Sequence, residues 1–231
     1  MIEAMNLSFS YPNGVAALRN VSFRLEDGKK YALVGSNGAG KSTLLSLLCA
    51  LDFPQSGTAH VGGIPLKPAE ARRIRGQVGM VFQNPDDQLF MPTVYDDIAF
   101  GLRNRNLPEA EVETQVNAIM EAMAVAHLKN RPPYRLSGGE KRSAALAAVL
   151  VMKPHVLLMD EPTAFLDPRA RRSLLRLLQS LDVGMLIATH DLALAEEMAD
   201  GILILKGGEL LAQGSSEILR DVRLLEEAEL V

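Results

Sequence analysis

One nine-residue segment constrains this chain more than any other: Gly35-Ser36-Asn37-Gly38-Ala39-Gly40-Lys41-Ser42-Thr43. It fits the pattern G-x-x-x-x-G-K-S/T. The apolar run Tyr31-Ala32-Leu33-Val34 directly precedes it, and Leu44, Leu45, Leu47 and Leu48 follow at helical spacing. Strand, glycine loop and helix are what phosphate binding needs. Glycines let the backbone wrap closely, so that its N–H groups face phosphate oxygens. The helix start adds a dipole favourable to an anion. Lys41 supplies a point charge near the β- and γ-phosphates, Ser42 a hydroxyl for Mg²⁺, and Thr43 reaches an inner phosphate. A bound nucleoside triphosphate is the expectation; a chance glycine-rich turn is the bland alternative.

The surrounding pattern predicts an α/β chain. Val78-Gly79-Met80-Val81-Phe82, Val156 to Met159, Met185 to Ala188 and Ile202 to Leu205 are short runs that are apolar throughout. Such runs suit strands covered on both faces, as in a mostly parallel sheet. The N-terminus differs. Met5, Leu7 and Phe9 alternate with Asn6, Ser8 and Ser10, and Val21, Phe23 and Leu25 alternate with Ser22, Arg24 and Glu26. These predict half-buried strands of an antiparallel β element, with Met5 facing inward. Tyr11-Pro12-Asn13-Gly14 reads as a turn between them. A helix is expected over 109–126, with Val112, Val116, Ile119, Met120 and Met123 on one face. A second helix is expected over 137–152. Residues 84–153 then form an inserted α-helical subdomain, and 1–83 with 154–231 form the P-loop core.

Composition excludes several classes. The chain has 231 residues with 48% hydrophobic and 23% charged, which is globular usage. Its 24 basic and 28 acidic residues leave a net charge of −4, against a main role in gripping nucleic-acid phosphates. Cys49 is the one cysteine, so no internal disulfide can form, and a reducing, cytoplasmic setting fits. The N-terminus shows no signal-peptide pattern. No apolar run approaches the about 20 residues of a membrane span. Any membrane contact is expected through partners.

Further chemistry gathers at strand ends. Val156 to Met159 leads into Asp160-Glu161. Asp160 there can hold Mg²⁺ through water, and Glu161, on the other side of the strand, can deprotonate an attacking water. His190 ends the run from Met185 to Thr189 and can hydrogen-bond a γ-phosphate and that water. Ser137 and Glu140 have the spacing of a capping box. Gly138 and Gly139 between them are poor helix residues, costing about 1 kcal/mol each relative to alanine. They make sense where a second phosphate approaches the helix start.

In order, these elements resemble the ATP-binding cassette (ABC) ATPases over essentially the whole chain. Gly35 to Thr43 matches Walker A, Gln83 the Q-loop glutamine and Leu136 to Glu140 the LSGGQ signature. Val156 to Asp160 matches Walker B, followed by Glu161 as the catalytic glutamate, Asp167 of the D-loop and His190 of the switch; Tyr11 matches the adenine-stacking aromatic. The resemblance implies ATP and Mg²⁺ as ligands. It assigns catalysis to Glu161, His190, Gln83 and Lys41, and the metal to Ser42, Gln83 and Asp160. It also implies a head-to-tail dimer with a second copy or a related ATPase subunit. Each ATP would lie between one phosphate loop and Ser137, Gly138 and Gly139 of the other chain.

The stretch Gln83-Asn84-Pro85-Asp86-Asp87-Gln88-Leu89-Phe90, with Thr93-Val94 and 96–101 after it, resembles the ATPase subunits of energy-coupling-factor importers, most of all the cobalt or nickel type. That implies a transmembrane coupling subunit, a substrate-binding membrane subunit and a peripheral place on the cytoplasmic face of a prokaryotic membrane. A vitamin importer or another ABC transporter is the alternative. A soluble ABC ATPase of DNA repair or translation is the alternative of another class. Glu140 stands where the family has glutamine, and Phe165 where it has a small residue.

Overall fold

Apolar runs and glycine punctuation translate directly into strands and turns. The computed structural model describes residues 1–231. They form two compact units, one of residues 1–78, 155–161 and 182–231, the other of 79–154 and 162–181. The elements in chain order are β1 (Ile2–Ser10), β2 (Ala16–Leu25), β3 (Lys30–Val34), α1 (Lys41–Leu48), β4 (Ser56–Val61), β5 (Ile64–Pro65), α2 (Ala71–Gln77), β6 (Val78–Val81), α3 (Val94–Asn104), α4 (Glu109–Ala122), α5 (Gly138–Leu150), β7 (Val156–Asp160), α6 (Pro168–Ser180), β8 (Gly184–Thr189), α7 (Leu192–Met198), β9 (Gly201–Lys206), β10 (Glu209–Gly214) and α8 (Val222–Glu227).

The first unit holds an antiparallel sheet ordered β2-β1-β4-β5 and a second sheet that runs β10-β9-β3-β8-β7. In the latter, β9, β3, β8 and β7 are parallel neighbours, and β10 is antiparallel to β9. Every residue of β8 is buried, as its unbroken apolar sequence requires. Leu44, Leu45, Leu47 and Leu48 of α1 are fully buried, which anchors the phosphate loop. The C-terminal stretch also packs here. Leu225 and Ala228 join Ala32, Val34, Ile202 and Ile204 in one cluster.

In β1 the alternation does not hold at Met5, which is 65% exposed. Asn6 takes a left-handed φ of 53°, and the register with β2 shifts between Ala4 and Leu7. A bulge puts successive residues on one side, so Ala4 and Leu7 face inward and Met5 outward.

The second unit is mainly helical. Its helix starts are written in side chains: Thr93 caps α3, Ser137 with Glu140 caps α5, and Asp167 with Pro168 opens α6. On α6, Leu174, Leu175 and Leu178 are buried, while Arg169, Arg172 and Arg176 are exposed. The segment 162–181 groups with these helices, whereas the sequence pattern assigns it to the core. α4 ends at Ala122 rather than 126. Ala124 turns left-handed at φ 55°, and the Val125 N–H donates to the Met120 carbonyl. Of the expected apolar face, Val112, Val116, Met120 and Met123 are buried, and Ile119 is half-buried.

Candidate functional site

In the first unit, β3 ends at Val34 and the chain wraps into the loop 35–40 before α1 starts at Lys41. Close packing dictates two of its glycines. A Cβ on Gly35 would lie 2.5 Å from the Leu205 carbonyl oxygen. Gly40 sits at φ 104°, and its Cβ would lie 2.6 Å from the Ala17 carbonyl oxygen. Ser36, Asn37, Gly38 and Ala39 turn between them, with the Ala39 N–H donating to the Ser36 carbonyl. No side chain caps α1 at Gly40, so its first-turn N–H groups keep their capacity for an anion.

Lys41 is buried. Its Nζ donates to the Gly35 carbonyl at 2.6 Å and the Ser36 carbonyl at 3.1 Å, and lies 3.9 Å from Glu161 Oε1. Burial pushes its ammonium pKa down, against the pull of the Glu161 and Asp160 carboxylates. Asp160, at the end of β7, is buried and titrates above the ordinary carboxylate range for that reason; the Ser42 hydroxyl hydrogen-bonds it and acts the other way. Hard oxygen donors side by side, carboxylate and hydroxyl, are the donor set that Mg²⁺ takes, with water filling the remaining positions. Ser42 and Asp160 therefore fit that ion.

Glu161 is the most constrained carboxylate. Its backbone is left-handed, φ 43°, and its N–H donates to the Ala188 carbonyl of β8. Oε2 accepts from Thr189 Oγ1 at 3.1 Å. Oε1 accepts from the His190 N–H at 3.0 Å and lies 2.7 Å from His190 Nδ1. So β8 presents Thr189 and His190 as a clamp on one carboxylate. Thr189 was not foreseen from the sequence; the signal is a hydroxyl at the polar end of an otherwise apolar run.

Tyr11 and Thr43 also meet. The phenol lies 2.8 Å from Thr43 Oγ1, and its ring stands edge-on to Phe9. The residue expected to stack a base and the residue expected to reach an inner phosphate are thus bonded to each other.

The first unit brings together Tyr11, the loop 35–43, Asp160, Glu161 and His190. The second carries Gln83 and the signature turn. Ser137 accepts from the Glu140 N–H at 3.4 Å, and its own N–H donates to Glu140 Oε2 at 2.8 Å. Glu140 thus turns back onto the cap, and the Ser137 donors hold its carboxyl below the usual range. Around Gly138 the space is open. Gln83 is exposed, and its carbonyl accepts from Arg142. Asp167 caps α6, accepting from the Arg169 and Ala170 N–H groups.

The family model described as "ABC transporter" matches residues 18–164. The chain belongs to the ABC transporter ATP-binding family. It is an ATPase of that family, whose members dimerise. It is 48% identical to a putative ABC transporter ATP-binding protein of Geobacter sulfurreducens, over 93% of this chain and 86% of that one. It is 43% identical to an energy-coupling factor transporter ATP-binding protein of Methanothermobacter thermautotrophicus, over 100% of this chain and 76% of the relative. Among solved structures, cbiO1 of Clostridium perfringens, described as part of the ABC transporter complex cbiONQ, aligns at TM-score 0.86 and 34% identity, over 99% of this chain and 94% of that one. A dimeric ATP-binding cassette in a post-hydrolysis state with ADP and Pi aligns at TM-score 0.84 and 26% identity, over 94% and 99%. No helix of this ABC ATPase is long and apolar enough to cross a membrane.

Proposed function

We propose that two copies of this ABC ATPase close head to tail around two ATP and drive import of a small solute, a cobalt or nickel ion, through separate membrane subunits. One observation carries the reading. The chain has two glycine-bearing helix starts in different units, α1 uncapped behind the phosphate loop and α5 capped by Ser137 with open space around Gly138, and only the first stands with a base-bearing dyad. Two such starts on one chain suit two nucleotides, each shared with a neighbour. In support of an importer partner, Phe90 is 65% exposed and pairs edge-on with Phe100 beside the acidic turn 84–88. That exposed apolar pair suits a protein surface from the membrane subunits.

The chemistry follows from the side chains. Lys41 leaves the Gly35 and Ser36 carbonyls for the β- and γ-phosphates, and the loop N–H groups take the oxygens. Tyr11 releases Thr43 to the inner phosphate and turns its ring to the adenine. Ser42 and Asp160 would hold Mg²⁺, with Gln83 as a further ligand, and the ion would supply charge neutralisation at the phosphates. Glu161 accepts the proton as water attacks the γ-phosphorus, and the bond to the bridging oxygen breaks to leave ADP. His190 holds Glu161 and faces the γ-phosphate. Ser137 and Gly139 of the second copy close over it.

Glu161→Gln tests this. The variant is expected to bind ATP, lose turnover and elute as a dimer with Mg-ATP in size-exclusion chromatography; a variant that stays monomeric contradicts the sandwich. Uptake of radiolabelled cobalt or nickel by cells carrying the assembled transporter tests the solute. Vitamin uptake instead would move the reading to the other energy-coupling-factor importers; the 43% identity to an energy-coupling factor ATP-binding protein suits either solute.

A further inference from the structure

Arg142 has no part in the chemistry above, yet it is 3% exposed on the second turn of α5. Its guanidinium goes to two main-chain carbonyls: Nη1 donates to Phe82 at 2.6 Å and Nη2 to Gln83 at 2.7 Å. Nε has no partner. A buried guanidinium with a donor left over is costly to keep. What it gains is geometric, since a planar fork fixes two successive carbonyls at once. Neighbouring contacts repeat the arrangement. Gln88 Nε2 donates to the Ala145 carbonyl on α5, and Gln88 Oε1 accepts from the Phe82 N–H. Lys141 Nζ reaches Asp86 Oδ1 at 2.6 Å. Lys141, Arg142 and Ala145 of α5 therefore hold the segment 82–88.

We propose that Arg142 is a positioning residue for Gln83. It sets the Phe82–Gln83 peptide planes so that the Gln83 amide oxygen is presented to the divalent ion of bound ATP. It also joins that residue rigidly to the helix that begins at Ser137-Gly138-Gly139. The inference rests on the proposed role of Gln83 in holding that ion.

Lysine keeps the charge of Arg142 but donates from a single point, so Arg142→Lys cannot fork two carbonyls. In a Glu161→Gln background loaded with ATP, Mn²⁺ binding is read from loss of the free-ion electron paramagnetic resonance signal. Arg142→Lys is expected to weaken Mn²⁺ binding at least fivefold and Gln83→Ala at least as much. The double variant is expected within twofold of Gln83→Ala alone, because both changes remove one function. ATP affinity in EDTA, which the phosphate loop supplies, stays within twofold and reports the fold. Should Arg142→Lys lose that affinity, Arg142→Gln, which removes the buried charge, takes its place in the same titration. Mn²⁺ binding unchanged by the Arg142 variant while Gln83→Ala weakens it, or effects that multiply in the double variant, overturn the inference alone. Unchanged binding in Gln83→Ala overturns the role given to Gln83, and the inference with it.

Discussion

Thr189→Val removes one hydroxyl and almost no volume from a position that is 0% exposed. That hydroxyl donates to Glu161 Oε2 at 3.1 Å and accepts from the Asp191 N–H at 3.0 Å. A hydrogen bond to an ionised group is worth about 1.5–3 kcal/mol net. Without it the Glu161 carboxylate is held through Oε1 alone, by His190 and the Lys41 ammonium, and Oε2 loses its anchor. If the loss falls on the transition state, where each 1.4 kcal/mol is about tenfold, kcat drops about tenfold to a hundredfold. KM for ATP should stay within twofold, since the phosphate loop is untouched. A stability loss of about 2 kcal/mol lowers Tm by about 4–8 °C for a chain of this size. Steady-state ATPase assays on purified protein well below Tm, with a thermal melt alongside, read both quantities. A kcat within twofold of the parent would show that Thr189 does not hold Glu161 for catalysis, and a raised KM with unchanged kcat would move it to nucleotide binding.

Two further predictions concern charge. Burial holds the Asp160 pKa above its unfolded value, so its ionised form costs stability above the ordinary carboxylate range. Asp160→Asn should raise Tm at pH 7–8 in nucleotide-free, metal-free protein and abolish turnover, with the two melting curves converging as pH falls to about 4; a lower Tm for the variant at pH 8 contradicts the sign. Charge reversal at Asp86 and Asp87 should reduce co-purification with the membrane subunits while ATP affinity stays within twofold. The one ion pair it breaks, Lys141 with Asp86, is half in solvent and worth under about 1 kcal/mol. Undiminished co-purification would remove the docking role from 84–88.

The fold was legible where local chemistry decides it. Apolar runs became the strands of a mostly parallel sheet, since nothing but burial on both faces suits them. The glycine loop between β3 and α1 stood out for the same reason, and so did the box of Ser137 and Glu140. What escaped was set by backbone sign or by distance along the chain. A left-handed Asn6 turned Met5 outward, and a left-handed Ala124 stopped α4, though the polar pattern at both places continues smoothly. Thr189 and Arg142 bond partners 28 and 59 or 60 residues away, so neither shows a motif. The Tyr11–Thr43 bond likewise joins two residues whose separate roles were readable and whose contact was not.

The central claim is that each ATP is completed by a second copy of the chain. Mixing two inactive variants tests it most directly: Lys41→Ala, which spoils the phosphate loop, and Gly138→Arg, which fills the open space at the signature turn. Each variant alone would have both sites broken in its own dimer. A mixed dimer would pair the intact loop of one copy with the intact turn of the other. ATPase activity that reappears on mixing, and rises with the fraction of mixed dimer, is the expected result. Mixtures as inactive as their components, or a Gly138→Arg protein that hydrolyses ATP normally by itself, would mean that one copy works alone.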